Sequence, residues 1–370
     1  MVRSNRSSRA AAAGSQRGRW DGEQLGWESG YHCGRCEAVR RLTPSWAPPV
    51  RNVKVLFIPQ GFPAIDNGAA SGLERCVGEL IVGSPSGMAA QAAVHKPHLV
   101  LVMNGLHVFP QDHLAQIDTI RKLGIKTAIW FADDPYFTDE TAAIAPHYDF
   151  VATHEQGCID FYKSLGCPNV FYMPLAVNAE LFRPQPVPPS YRSDVCFVGT
   201  GFWNRIRFFD RLAPYLAGKK VVIAGGKWER MAKFRLLQNQ IIGSGVPVEE
   251  SIKYYNGAKI VINLHRGWEH SEDNRNSRGI KGLSVNPRTY EIAACGAFQL
   301  TDVRQDLPLH YAPGIDIATY NSPEELAGRI DYYLKHEDER RALAYNGLKR
   351  TLQQHSFVVR ADQLLSRLGY

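Results

Sequence analysis

From Arg51 onward, short runs of aliphatic and β-branched residues alternate with stretches whose apolar positions recur every three or four residues. Residues 53–59, 98–104, 126–132, 149–154 and 169–175 predict strands. Between them, 112–123 carries Leu114, Ile117, Ile120 and Leu123 on one helical stripe that Gly124 ends. Residues 183–190 then hold Pro184, Pro186, Pro188 and Pro189, which can continue neither a helix nor a central strand, so a linker is expected there. The rhythm resumes with strands at 194–200, 219–225, 259–265 and 298–302. Alternating strands and helices on both sides of a linker predict an α/β protein of two Rossmann-like parallel-sheet domains facing across a cleft. Residues 1–50 show no sustained period and read as a flexible basic extension. The expected division is 1–50, then 51–183, a Pro-rich linker at 184–191, a second domain at 192–352, and a closing helix near the hinge at 353–370.

Charge and cysteine content change this picture only a little. The net charge is +7 over 370 residues, but residues 1–50 alone hold eight Arg against four acids, so the body of the chain is nearly balanced. That weakens a nucleic-acid partner, whose binding needs cations collected into a patch. No window approaches the roughly 20 apolar residues of a membrane span, and the N-terminus offers only Ala10–Ala13 where a secretory core would lie, so a cytoplasmic protein is expected. Seven cysteines, an odd number, fit a reducing compartment. Cys33 and Cys36 beside His32 form a lone Cys-x-x-Cys without the second pair that a zinc site requires.

Several segments carry candidate chemistry. In 286–296, Asn286 suits an N-cap, Pro287 the first helical position and Gly296 the residue after the helix. The first turn is an anion site, with Thr289 in it and Arg288 adding a formal charge; Glu291 shares its face. A cation for phosphate beside a carboxylate for hydroxyls suits a nucleotide diphosphate and its ribose, while an i,i+3 salt bridge explains the same pair equally. After strand 194–200, Gly199-Thr200-Gly201 leads into Asn204 and Arg205, where a phosphate could gather or a plain tight turn could form. His265 ends a strand, and 266–285, dense in charge and glycine, reads as a mobile lid. A metal site from His265, His270 and nearby acids lacks ligand spacing. Asp133 and Asp134 end another strand and could take a proton from an acceptor hydroxyl, hydrogen-bond a sugar, or form an Asx-turn into Pro135. The glycine-rich loop 61–72 could meet an acceptor or a phosphate.

Taken together, these segments resemble a known family. The run 173–184 (MPLAVNAELFRP) is similar to the segment closing the N-terminal domain of group 1 glycosyltransferases of GT-B fold. Residues 130–135, 197–205, 286–296 and His355-Ser356-Phe357 with Arg360 resemble the CgeB-like, spore-maturation branch. The resemblance spans 52–368 and implies sugar transfer from a nucleotide-sugar donor held mainly by the C-terminal domain, to a glycan, protein or small-molecule acceptor. It places Glu291 on the ribose, Arg288 and Arg205 on the diphosphate, with Gly199, Thr200, His265, Asn286 and Thr289 around the donor, and Asp133 or Asp134 on the acceptor side as the catalytic carboxylate. No cofactor beyond the donor is implied. With no Asp-x-Asp to chelate a divalent ion, metal-independent transfer is expected. Retaining group 1 enzymes usually carry a second Glu eight residues before the ribose Glu; Leu283 stands there. A non-catalytic nucleotide-sugar or glycan-binding protein of a surface assembly is the alternative, and a nucleic-acid glycosylating enzyme a more distant one.

Overall fold

The computed structural model describes residues 2–269 and 271–370. After an opening helix, α1 (Val2–Leu42), the first sheet is built from β1 (Arg51–Ile58), β2 (Val77–Val82), β3 (Leu99–Met103), β4 (Lys126–Phe131), β5 (Phe150–Thr153) and β6 (Val170–Tyr172). All pair in parallel, in the order β2-β1-β3-β4-β5-β6. The crossovers carry α2 (Pro63–Glu74), α3 (Met88–His95), α4 (His113–Lys122), α5 (Thr138–Ile144) and α6 (Ile159–Ser164). Every side chain of β3 is buried, because helices cover both faces; such a strand reads as an unbroken apolar run. The edge strand β2 leaves Glu79 and Val82 exposed, and its mixed pattern hides it from the sequence.

The second sheet repeats the plan with β7 (Ser193–Val198), β8 (Val221–Ala224), β9 (Ile241–Ile242), β10 (Ala258–Asn263), β11 (Gln299–Asp302) and β12 (Ala318–Tyr320), parallel, in the order β12-β11-β10-β7-β8-β9. Its helices are α7 (Trp203–Leu216), α8 (Phe234–Leu237), α9 (Val248–Gly257), α10 (Pro287–Ala294), α11 (Leu307–His310), α12 (Pro323–Lys335), α13 (Glu337–Gln354) and α14 (Phe357–Arg367). In this sheet the strand order reverses beside β7, which lies between β8 and β10. Ligands of open α/β sheets gather at the carboxyl ends of the strands at such a reversal.

The last helix crosses back. Phe357 N–H donates to Val177 O (3.1 Å) and Val177 N–H to His355 O (3.0 Å), after which α14 packs on the first domain. It lies against α2 where that helix is glycine. A Cβ on Gly68 would stand 2.3 Å from Phe357 Cδ2, and one on Gly72 would stand 2.4 Å from Phe357 O. The glycine-rich stretch expected to meet a ligand is thus mostly helix, and Gly68 and Gly72 serve close helix packing.

Two segments differ from the sequence reading. Residues 2–42 form a helix rather than a flexible extension, and its C-terminal part is seated on the second domain. His32 Nε2–H donates to Gly296 O (2.9 Å), Cys36 is fully buried, and Arg40 Nη1 donates to Ala179 O (3.0 Å). These anchors fall every fourth residue on one face, but they are polar or small, so no apolar period betrays them. Residues 266–269 and 271–285 are not a free lid but a strap tied to both domains. Asn276 is fully buried, accepting from Thr138 Oγ1 at 2.6 Å, and Ser277 N–H donates to Asp139. From the first domain, Glu155 accepts the N–H groups of Leu283 (2.9 Å) and Ser284 (3.1 Å).

Candidate active site

The second domain's side of the site is built on the amino end of α10. Asn286 caps it, its Oδ1 accepting the Thr289 N–H at 3.1 Å, and Pro287 follows at the first position. Asn263, at the end of β10, donates to Asn286 Oδ1 (3.2 Å) and Thr289 Oγ1 (3.0 Å) and accepts from Asn286 Nδ2 (2.9 Å). His265 Nε2 accepts the Asn286 N–H (2.9 Å), and its Nδ1–H donates to Asp302 Oδ1 (2.5 Å). Burial lowers the affinity of His265 for a proton, so the ring is the neutral Nδ1–H tautomer these bonds require. Burial works against ionised Asp302, but His265 and Arg304 hold its carboxyl far below the usual range. Asn286, Thr289 and His265, expected among the donor contacts, are buried and bonded to Asn263, Asp302 and one another, and so orient the helix end.

What this scaffold leaves free is small. Arg288 and Glu291 lie three apart on α10, half-buried, with no hydrogen-bond partner among the described residues. Burial pushes the Glu291 carboxyl up to about 7, against the pull of Arg288. Arg205, on α7, is buried and donates to two carbonyls, Leu264 O (2.9 Å) and Thr200 O (3.0 Å), with no carboxylate partner among the described residues. Burial, then the charge of Arg288, brings its pKa down to about 9. The two guanidiniums are close enough to oppose each other, and neither forms a salt bridge with a carboxylate among the described residues.

The loop before α7 is held by its own glycines. Gly199 N–H donates to Ala224 O (2.7 Å), its carbonyl accepts Trp228 Nε1–H (3.0 Å), and a Cβ on Gly225 would stand 2.2 Å from that carbonyl oxygen. Gly199 serves loop-to-loop packing, while Thr200 supplies a carbonyl that positions Arg205.

On the first domain, the chain leaving β4 separates the two adjacent acids. Asp134 turns inward, 1% exposed, accepting from Tyr162 OH (2.7 Å) and Thr153 Oγ1 (2.8 Å). It has no access to the cleft, which corrects its candidacy as a catalytic group; the chain bends at Asp133 and turns from Asp134 onward, with Tyr136 N–H donating to Asp133 O at 2.8 Å. Asp133 faces the cleft. Asn104, at the end of β3, accepts the N–H groups of Ala132 (3.0 Å) and Asp133 (3.1 Å) and donates to Asp133 Oδ2 (2.7 Å). His107 Nε2 lies 2.8 Å from the same oxygen. Burial opposes the Asp133 charge, but His107, Asn104 and Arg266 hold its carboxyl below the usual range; Asp133 in turn raises the pKa of His107.

His107 is a candidate residue that the sequence reading missed. Asn104 (φ 61°) and His107 (φ 60°) both adopt left-handed backbone, which is uncommon outside glycine and concentrates at functional sites. The Asn-Gly pair at 104–105 directly after a strand was the available signal for such a turn. Among the described residues, no group of three or more His, Cys, Asp or Glu side chains is arranged to hold a metal; His270 lies outside them.

Comparison with known proteins agrees with this architecture. Residues 205–366 match the family model described as Glycosyl transferase-like. The chain is 30% identical over 325 residues to the spore protein CgeB of Bacillus subtilis (strain 168), covering 85% of this chain and 98% of that one. Among solved structures it is similar to Anabaena HepE in complex with UDP and glucose, with 14% identity over 86% of this chain and 100% of that one and a TM-score of 0.59. It is also similar to the sucrose-phosphate synthase of Thermosynechococcus elongatus, with 14% identity over 85% of this chain and 98% of that one and a TM-score of 0.55. The two likenesses show the fold. The chain belongs to the CgeB-like glycosyltransferases, group 1 type, and has the GT-B fold.

Proposed function

We propose that this glycosyltransferase takes its sugar from a nucleoside-diphosphate donor, with the diphosphate between Arg205 and Arg288 and the ribose hydroxyls on Glu291. The observation that supports this reading is the pair of guanidiniums, neither in a salt bridge among the described residues and Arg205 bonded only to carbonyls, at the strand-order reversal of the second sheet, across the cleft from Asp133 and His107. The pair takes up the negative charge that develops on the leaving diphosphate, as a divalent ion would, so transfer is metal-independent. Asp133 fixes the Nε2–H of His107 and leaves Nδ1 as a hydrogen-bond and proton acceptor for a hydroxyl in the cleft. As the anomeric C–O bond to the phosphate breaks and the acceptor oxygen bonds that carbon, the acceptor proton leaves toward the cleft face that His107 occupies.

A UDP-sugar is the first donor to test, since HepE binds UDP and glucose. The spore protein among its relatives makes a spore or cell-surface glycan or protein the first acceptor to test. A cytoplasmic site of action is part of the same proposal: no described helix is long and apolar enough to cross a membrane, and all seven cysteines are free thiols. The direct experiment is a thermal-shift screen against nucleoside diphosphates and nucleotide sugars, with and without chelator, beside Glu291→Ala. A donor at a hundred times its dissociation constant adds about 2.7 kcal/mol. Stabilisation by one nucleotide family, indifferent to chelator and lost in the variant, is expected; no shift with any nucleotide, in a protein that melts cooperatively, would overturn the reading.

A further inference from the structure

One side chain of the strap touches both faces of the cleft. The guanidinium of Arg266 lies 4.3 Å from the ring centre of Tyr136 and 5.4 Å from that of Phe137, both on the first domain. It lies 4.2 Å from the ring centre of Phe202 on the second. Its stem is held in place: Nε donates to Asn274 Oδ1 at 2.8 Å and Nη2 to Asp273 O. Asn274 is buried and donates to Gly267 O and Glu269 O, both at 2.7 Å.

The rings it contacts belong to the two functional loops. Phe202 ends the Gly199–Gly201 loop, and its ring also meets the guanidinium of Arg205 at 5.2 Å and the ammonium of Lys227 at 5.8 Å from its centre. Tyr136 follows Asp133 by three residues. A planar cation with two usable faces suits this place, and an ammonium does not, because it has no plane to stack. The domains are also clasped elsewhere, through Glu155 and through Thr138 and Asn276, so the closed arrangement does not depend on Arg266 alone.

We infer that Arg266 is a positioning residue for sugar transfer, stacking the donor loop at Phe202 and the Asp133 loop at Tyr136 at a fixed separation across the cleft. The inference rests on the donor reading above. Arg266 also enters the electrostatics of the reacting side. The charged groups facing His107 are Asp133 after β4, Glu140 on α5 and Arg266 on the strap; the two acids favour the imidazolium, and Arg266 opposes it.

The test compares full-length wild type with Arg266→Lys and Arg266→Gln. UDP release from UDP-glucose with water as acceptor, UDP binding by calorimetry, and the NMR titration of His107 are followed in each. Both variants are expected to melt cooperatively and bind UDP as wild type does, with kcat lower by about tenfold or more and KM little changed. His107 should titrate at higher pH than wild type in Arg266→Gln and as in wild type in Arg266→Lys, which separates charge from stacking. Wild-type kcat in Arg266→Lys would overturn the inference, as would a loss confined to KM, which would make Arg266 a donor ligand. If wild type neither binds UDP nor releases it from UDP-glucose, the UDP-sugar assignment fails instead. The titration then still decides for Arg266, since an unmoved His107 in Arg266→Gln removes it from the pair's surroundings.

Discussion

The two faces of the cleft are organised in opposite ways. On the second domain a large network, Asn263, His265, Asn286, Thr289 and Asp302, fixes one helix end and leaves the charged side chains of Arg288 and Glu291 without hydrogen-bond partners among the described residues. On the first domain the proposed reacting pair is itself the hydrogen-bonded unit: Asp133 and His107 hold each other, with Asn104 beneath them. Binding a large anionic ligand asks for a rigid platform with unneutralised charge. Accepting a proton asks for a titrating group with a fixed tautomer. The contrast teaches that polar residue types concentrated at a site mark its scaffold as often as its contacts.

The largest effect should come from the side with the fewest residues. His107→Ala is expected to lower turnover by about 10²–10⁴-fold while leaving donor binding unchanged, because proton acceptance acts in the transition state. Steady-state kinetics beside calorimetry with the nucleotide checks this. A variant that loses donor binding in proportion to turnover would place His107 on the donor and erase the contrast. The wild-type rate should also fall as pH drops through the raised pKa of His107, since the protonated ring has no free acceptor.

How far this was legible in the sequence follows from the same contrast. The fold could be read because buried parallel strands are continuous apolar runs, and both ends of α10 could be read because Asn286, Pro287 and Gly296 each suit one backbone position. Two charged residues of α10 that the structure leaves without side-chain partners among the described residues, Arg288 and Glu291, were therefore found. His265 was flagged as a contact because a histidine at a strand end looks the same whether it faces ligand or scaffold; only its two partners, Asn286 N–H and Asp302, decide. His107 was missed because its role comes from a left-handed backbone and from an acid 26 residues away, neither of which has a local pattern. The seat of α1 was missed because its contacts on Gly296 and Ala179 are hydrogen bonds to carbonyls far along the chain.

On the platform side the expected effects are smaller and appear in affinity. Arg288→Ala removes one of two cations and should weaken nucleoside-diphosphate binding by about 10–100-fold, corresponding to the roughly 1.5–3 kcal/mol of a hydrogen bond to a charged group. Isothermal calorimetry measures it, and unchanged affinity would remove the diphosphate from this helix. Arg205→Ala is the poorer probe, because it also strips a partner from Leu264 O and Thr200 O.

Glu291→Gln sharpens the comparison by acting on affinity and stability in opposite directions. The carboxyl is raised to about 7 in the folded protein, so between its unfolded value near 4.5 and pH 7 the folded state holds a proton that the unfolded state has lost. Stability from this group is present at acid pH and lost as pH rises through 7. The neutral variant should therefore melt higher than wild type at pH 8, by on the order of 1 kcal/mol, while binding donor about tenfold more weakly. A variant less stable at pH 8 would mean that Glu291 has a partner in the apo protein.

The smallest effect on activity is expected at Asp134, and it is the sharpest check on which of the two adjacent acids serves the cleft. Asp134 is also raised to about 7 by burial, but its oxygens are occupied by Tyr162 and Thr153. The sign is the same: below its unfolded value near 3.9 its stability is fully present, and it is lost as pH rises through about 7. Asparagine copies the shape of the protonated acid. Its amide can be accommodated because the Tyr162 hydroxyl, which also lies 2.8 Å from Thr141 Oγ1, can donate there and accept from Asn. Asp134→Asn should then leave turnover unchanged and match wild-type stability in acid. Its margin over wild type should grow between about pH 5 and pH 8, as thermal melts across that range would show. A large loss of turnover in a variant that melts like this would return Asp134 to the reacting side, and with it the assumption that the chain after β4 offers both acids to the cleft.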